Sequence, residues 1–230
     1  MANTNDLKEL IDAEKKAALL FDEIGKQELI CAGKSEAQIN KEVYQLAHGL
    51  FGIKKYWHKR IVRAGKNTLF PYDENPKNRI VQNNDIVFLD FGPIFEDWEA
   101  DYGRTYVVGD DPMKLKLKED IEKAWYRACS FYFSKQNQTG AELYHYCCSL
   151  AKEMGWEFGG PIAGHLIGHF PHEKLEKEIK TNYIHPENLI SMSSPDASGK
   201  PRFWILEIHF VDRQKEIGGF FEQLLIAPNT

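Results

Sequence analysis

Hydrophobic positions along the chain alternate between two periods. Leu7, Leu10, Ile11, Ala17, Ala18, Phe21 and Ile24 recur at helical spacing, and Gly33 is the expected C′ stop. Ser35, with Gln38 three positions on, reads as a capping box opening a second helix that buries Ile39, Val43, Leu46 and Leu50. After Gly52 the pattern changes. Tyr56–Val62 is rich in aromatic and β-branched residues, and Tyr72–Asn78, with Pro71 before it and Pro76 inside it, reads as a loop. Ile86–Phe91 is an apolar run broken only by Asp90, the most strand-like segment of the chain. Pro93–Ala100 turns, and Asp101–Val108 returns as a second strand.

The same order then repeats. Asp111 and Pro112 are an N-cap and N1 pair, and Thr139 with Glu142 is a capping box whose helix closes near Gly155. Beyond Gly159 and Gly160 the chain returns to strands at Arg202–Val211 and Gly218–Ala227. Two helices, strands, two helices and strands predict a pseudo-repeated α+β unit, although the halves share no sequence identity. No linker divides the chain, so residues 1–230 read as one domain.

Composition narrows the function classes. The chain has 230 residues, 43% of them hydrophobic, and a net charge of −5 with both signs mixed along it. No basic block suggests a nucleic-acid track, and His172–Lys180 alternates Lys with Glu as a solvated helix face does. No apolar run approaches the ~20 residues that span a bilayer. The N-terminus is polar, without a secretory pattern. Cys31, Cys129, Cys147 and Cys148 form no CxxC pair, and adjacent cysteines are poor partners for each other. Free thiols in a reducing, cytoplasmic setting are the expectation.

Against that background five residues stand out: Asp90, Asp101, His165, Glu207 and Glu222. Each lies in an apolar strand or a glycine-bounded loop, where an ionised carboxylate must be paired, hydrogen-bonded or bound to a metal. Asp90 and Asp101 are eleven positions apart on adjacent strands. The expectation is that they face each other across the ladder, where they would repel without a cation between them. Glu207 interrupts Phe203–Phe210, and Glu222 interrupts Phe220–Ile226. Between them in the series, Gly164–Glu173 holds three histidines. Gly168 and Pro171 disfavour a regular helix there, so the segment reads as a loop offering His165 to a metal and His172 to a substrate, with His169 outward. The Asp-Phe-Gly triplet at Asp90–Gly92 is not a kinase signature, because the chain has no glycine-rich phosphate loop and no matching catalytic loop.

This succession is Asp, Asp eleven residues on, Gly-His-Leu-Ile-Gly at Gly164–Gly168, then two strand glutamates. It resembles the metallopeptidase family of methionine aminopeptidases, Xaa-Pro aminopeptidases and prolidases. The resemblance covers nearly the whole chain and includes Asp101–Thr105. It implies a pita-bread fold, with pseudo-repeated helices packed on a curved antiparallel sheet. It also implies two divalent ions of Mn, Co, Fe or Zn, which activate water and polarise a scissile carbonyl. By that resemblance Asp90 bridges or chelates one ion, Asp101 and Glu222 bridge both, and His165 and Glu207 each complete one shell. Glu207 is then the proton shuttle and His172 a catalytic, substrate-contacting imidazole.

The chain departs from the family around this centre. The histidine expected on the loop before the first metal strand is absent from Thr68–Asp73, leaving Tyr72 or His58 to make that substrate contact. Pro161, Phe220 and Ile208 replace a histidine, an arginine and a proline of the family pattern. The separate N-terminal domain of prolidases is not seen. A retained metal centre with an unusual substrate is the reading these changes favour. The expected activity is aminopeptidase-like hydrolysis of an N-terminal peptide bond, of Xaa-Pro type, or of a small amide. A hydrolase or lyase acting on a small metabolite, and a non-catalytic binding module, are the alternatives. The expected partners are a peptide or small-molecule substrate, with neither nucleic acid nor membrane. Trp57–Arg60 reads as an exposed amphipathic strand, a pocket lining or a homodimer contact.

Overall fold

The helices begin where the sequence supplies acceptors for their free N–H groups. In the computed structural model, which describes residues 4–171 and 179–227, α1 spans Thr4–Lys26 and α2 spans Glu36–Phe51. Ser35 Oγ accepts from Gln38 N at 3.2 Å, but the Gln38 side chain bonds Glu42 rather than reaching back, so this cap is one-sided. Gly33 is not the stop of α1. The helix ends seven residues earlier, where Glu28 takes a positive φ of 49° and Leu29 N donates to Ile24 O. Leu50, expected inside, is 46% exposed; Phe51 takes the inward position instead, against Phe95 at 5.6 Å. Helix α3 (Pro112–Phe133) is capped by Asp111, which accepts from Met113 N and Lys114 N. Helix α4 (Gly140–Met154) carries the complete Thr139/Glu142 capping box and ends at Gly155 in the left-handed region. Among the described residues no helix is long and apolar enough to cross a membrane.

The strands are β1 (Ile61–Ala64), β2 (Ile86–Phe91), β3 (Ile94–Phe95), β4 (Trp98–Glu99), β5 (Tyr102–Val107), β6 (Glu157–Phe158), β7 (Leu166–Ile167), β8 (Phe203–Asp212) and β9 (Ile217–Leu224). Among the described residues seven of them form one sheet in the order β1-β2-β5-β9-β8-β6, with β7 also on β8, and every pairing is antiparallel. The expected Tyr56–Val62 strand starts only at Ile61, and Trp57–Arg60 is an irregular approach to it. The segment between Asp90 and Asp101 is more than a turn. Strands β3 and β4 form their own hairpin there, with Glu96 and Asp97 at positive φ. That hairpin sets the register as Phe91↔Tyr102 and Asp90↔Gly103. Asp101 is therefore not opposite Asp90; it lies just beyond the ladder, two positions from Gly103.

Strand alternation divides the sheet into a helix-covered face and an acid face. On the covered face Val87, Leu89 and Phe91 join the inner stripes of α1 and α2, including Ala17, Leu20, Ile39 and Val43. Leu206, Ile208, Phe210 and Phe221 join α3 and α4, including Ile121, Trp125, Leu143 and Leu150. The Trp125 indole N–H donates to Leu206 O at 2.8 Å, so its polar atom is satisfied inside the core. Arg104 lies on the same face. Its guanidinium stacks between the rings of Tyr102 and Phe221, 3.7 Å from each centroid. It donates to the carbonyls of Gly103 and Glu222 and to Gln223 Oε1. Opposite it on α1, Glu14 accepts from Leu224 N at 3.1 Å, while its second oxygen is buried with no hydrogen-bond partner among the described residues.

Burial pushes the Glu14 carboxyl from 4.5 up to about 8, against the pull of Arg104. The folded chain therefore holds a proton that the unfolded chain releases near 4.5. The stability from this group is full below that pH and is lost as pH rises towards about 8. Urea denaturation of chelator-treated protein should show Glu14→Gln flattening this loss. At pH 8 the variant should exceed the wild type by roughly 1–3 kcal/mol. Equal pH slopes for the two proteins would contradict the assignment.

Candidate metal centre

A row of four positions crosses the middle of the sheet on its acid face. The register runs Asp90↔Gly103, Gly103↔Glu222 and Glu222↔Glu207, so β2, β5, β9 and β8 each place one residue in line. Directly opposed residues share a face, and three of these four are acids. Gly103 leaves a notch in the row, since a Cβ there would stand 2.6 Å from the Phe220 ring. Thr105 Oγ1 locks β9 alongside, accepting from Phe220 N at 2.7 Å and donating to Phe220 O at 2.8 Å.

His165 arrives from outside the row. It precedes β7, bridges to Tyr183, and accepts at its carbonyl from Ile205 N at 2.8 Å. Gly164 holds φ 138° with its α-carbon against Ile205 O, an approach that any side chain would block. The His165 ring then points at the acids. Its Nε2 lies 3.1 Å from Asp101 Oδ2 and 3.9 Å from Glu222 Oε1, while Nδ1 donates to Leu166 O at 2.8 Å.

A sixth side chain joins these five. His58 Nε2 is 3.0 Å from Asp101 Oδ1 and 3.5 Å from Asp90 Oδ1, and its Nδ1 donates to Lys59 O at 2.7 Å. Trp57–Arg60 is thus not an exposed amphipathic strand, because the His58 ring is buried in the centre. No sequence pattern marks this: His58 stands three residues before Ile61, and only the pairing of Ile61 with Asp90 brings it to the centre. Trp57 lies edge-on to both imidazoles, at 4.5 Å from His58 and 5.2 Å from His165, and its indole N–H donates to Ala100 O. Tyr72 is half-exposed with its ring edge-on to His58 at 5.8 Å, and its hydroxyl accepts from Lys59 N. His169 points away and packs on Trp98 at 5.1 Å. His172 and most of the Lys/Glu stretch after it lie outside the described residues.

The four acids of this cluster cannot all ionise against the two imidazoles alone. Burial pushes Asp90 up to about 7 despite His58, and Glu207 up to about 7 despite His165. Burial, and then the charges of Asp101, Asp90 and Glu207, push Glu222 well above the carboxylate range. For Asp101 burial acts the same way, but the two imidazoles outweigh it and hold the carboxyl below its ordinary value. Burial opposes the charged form of both histidines. Asp101 and Asp90 nevertheless carry His58 to about 9, and the bond to Asp101 raises His165. Without a further cation the cluster limits its charge by keeping protons on these carboxyls, and Glu207 and Glu222 hydrogen-bond to each other; with all four acids ionised, two imidazolium groups would leave two negative charges in excess. Among the described residues Glu222 Oε2 is buried with no hydrogen-bond partner, and the residue is 2% exposed. An unpaired acceptor in a carboxylate-rich, imidazole-containing pocket fits divalent cations. The ligand atoms form two groups that share Asp101: His58, Asp90 and Asp101 in one, and Asp101, His165 and Glu222 in the other.

Comparison with known proteins gives the fold and the family. Over 170 residues the chain is 27% identical to an Xaa-Pro dipeptidase from Lactobacillus delbrueckii subsp. lactis, covering 74% of this chain and 45% of that one. The chain thus spans about half the length of the curated relatives it matches. Among solved structures, the prolidase from Thermococcus sibiricus superposes over 100% of this chain and 60% of its own, with a TM-score of 0.77 and 19% identity. A methionine aminopeptidase from Thermotoga maritima superposes over 96% of this chain and 92% of its own, with a TM-score of 0.70 and 16% identity. These likenesses give the fold, which is the pita-bread fold. The profile described as Metallopeptidase family M24 matches residues 8–197, a span that holds Asp90, Asp101 and His165 and ends ahead of Glu207 and Glu222. With most of its length matched to that profile, the chain belongs to metallopeptidase family M24.

Proposed function

We propose that the chain is a metal-dependent, aminopeptidase-type hydrolase. Its proposed centre holds two divalent ions at Asp90, Asp101, His165, Glu207 and Glu222, and Xaa-Pro peptides are the first substrate class to try. The observation that carries this reading is the crowding of four carboxyls around two imidazoles, which lets the acids ionise together only with added cations, and in their midst Glu222 Oε2 has no hydrogen-bond partner among the described residues. The relatives named Xaa-Pro dipeptidase support the substrate class. Four unpaired cysteines support a reducing, cytoplasmic setting.

The ions, when bound, would supply Lewis-acid activation of water and of the scissile carbonyl. The side chains do the rest. Asp101 has one carboxylate oxygen towards each imidazole, which suits it to serve both ions. Glu222 stands between Gly103 and Glu207 in the row and groups with Asp101 and His165. Glu207 lies at the part-exposed end of the row, where a carboxylate oxygen can take a proton from water and return it to the leaving nitrogen. The Trp57 ring forms an apolar wall over both imidazoles and excludes water from that side. Tyr72 and His172 are proposed to contact the substrate. The phenol of Tyr72 in place of an imidazole also favours a second reading, in which the same centre acts on a small metabolite that is not a peptide.

Protein loaded with Mn²⁺ or Co²⁺ should release the N-terminal residue from at least one member of an Xaa-Pro peptide panel. Glu207→Gln should lower kcat at least about 100-fold. A silent panel, from protein carrying two ions per chain, would move the assignment to the small-metabolite reading. Charge crowding gives a further expectation. Glu222→Gln should raise the melting temperature of metal-free protein by about 2–4 °C, because it removes one buried carboxylate from a repelling set. The same variant should lose most of the melting-temperature gain that added Co²⁺ gives the wild type. Calorimetric scans with and without ion check both signs, and a drop in the metal-free scan would mark Glu222 as a structural partner.

A further inference from the structure

His58 belongs to no part of the ligand set implied by the family resemblance, yet it is built into the centre as His165 is. In both rings Nδ1 faces the carbonyl of the next residue, Lys59 O at 2.7 Å and Leu166 O at 2.8 Å. A carbonyl only accepts, so Nδ1 carries the hydrogen in each case and Nε2 is the atom turned inward. The two inward nitrogens meet opposite oxygens of one carboxylate: His58 at Asp101 Oδ1, 3.0 Å away, and His165 at Asp101 Oδ2, 3.1 Å away. Each then has a second acid beyond, Asp90 Oδ1 at 3.5 Å and Glu222 Oε1 at 3.9 Å. A ring whose outer N–H is fixed by a backbone carbonyl is the usual arrangement of a metal-ligating histidine.

The seat of the His58 ring is equally specific. A Cβ at Gly92 would overlap both the imidazole and the Trp57 indole, so the ring occupies space that only glycine leaves. Trp57 and Tyr72 close on it edge-on, and Trp57 is itself tied to Ala100 O. The ring is thereby aimed at the gap between Asp90 and Asp101 and has little room to turn elsewhere.

We propose that His58 is a metal ligand for the ion at Asp90 and Asp101, giving each of the two ions an imidazole. The inference rests on the dinuclear reading above. It predicts a chemical preference, since a nitrogen donor in an otherwise oxygen-donor shell favours Co²⁺ or Zn²⁺ over Mn²⁺. The competing roles for His58 are a protonated counter-ion to the two aspartates, or a substrate contact.

Titration calorimetry and proton NMR of Co²⁺-loaded protein separate these. Wild type should bind two Co²⁺ and show two solvent-exchangeable, strongly shifted imidazole N–H signals. His58→Gln should keep one tight Co²⁺ and one such signal, with the second Co²⁺ weakened at least roughly 10-fold and Mn²⁺ weakened less. Gly92→Ala, which displaces the ring without removing it, should show the same loss. Circular dichroism identifies a misfolded variant, in which case the wild-type signal count decides by itself. Two ions with a single shifted N–H in wild type, or unchanged or tighter Co²⁺ binding in a folded His58→Gln, would overturn the ligand role and leave the dinuclear reading intact. Failure of wild type to bind a second ion would instead remove the dinuclear reading.

Discussion

The structure turns on a row of carboxylates that the strand register forces together. Asp90, Glu222 and Glu207 stand in line across β2, β9 and β8, with Asp101 at the end of β5 beside them. Like charges opposed on one face of a sheet destabilise it, and burial compounds the cost. A sheet with this register exists because each strand is held by interactions elsewhere and because the crowded acids keep protons beside the two imidazoles. The fold supplies two imidazoles against four acids, so all four ionise together only with further positive charge.

The opposing face explains how the register survives the repulsion. Directly behind Gly103 and Glu222, Arg104 is held between two aromatic rings and bonds the carbonyls of both. Its guanidinium ties β5 to β9 through the backbone and leaves the acids free on the other side. Thr105 does the same from the acid face through both polar groups of Phe220. The two apolar clusters, one under α1 and α2 and the other under α3 and α4, meet along this seam. The centre thus sits where the two half-units join, and neither half could assemble it alone.

Much of this was legible in the chain. Asp111, Thr139 and Glu142 announced their helices because capping is local chemistry, complete within four residues. Asp90, Glu207 and Glu222 were conspicuous because an acid in an apolar strand has few bland explanations. Gly33, by contrast, misled as a helix stop, since Glu28 adopts the left-handed conformation without being glycine. The opposition of Asp90 and Asp101 was also misjudged. Counting eleven residues treats the link as a plain turn, whereas the β3–β4 hairpin consumes part of it and shifts the register.

What the sequence by itself determined was the element order, the helix limits set by caps, and the acids and His165 that suit a metal. Those properties depend on residue type and near neighbours. What only the tertiary structure decided was the company each side chain keeps. His58 lies in a short irregular stretch with no periodic signal, and it reaches Asp101 across 43 positions of sequence. That contact depends on the pairing of β1 with β2, the missing side chain at Gly92 and the wall made by Trp57. Long-range placement of this kind is fixed by packing and register, and no local pattern of residues encodes it.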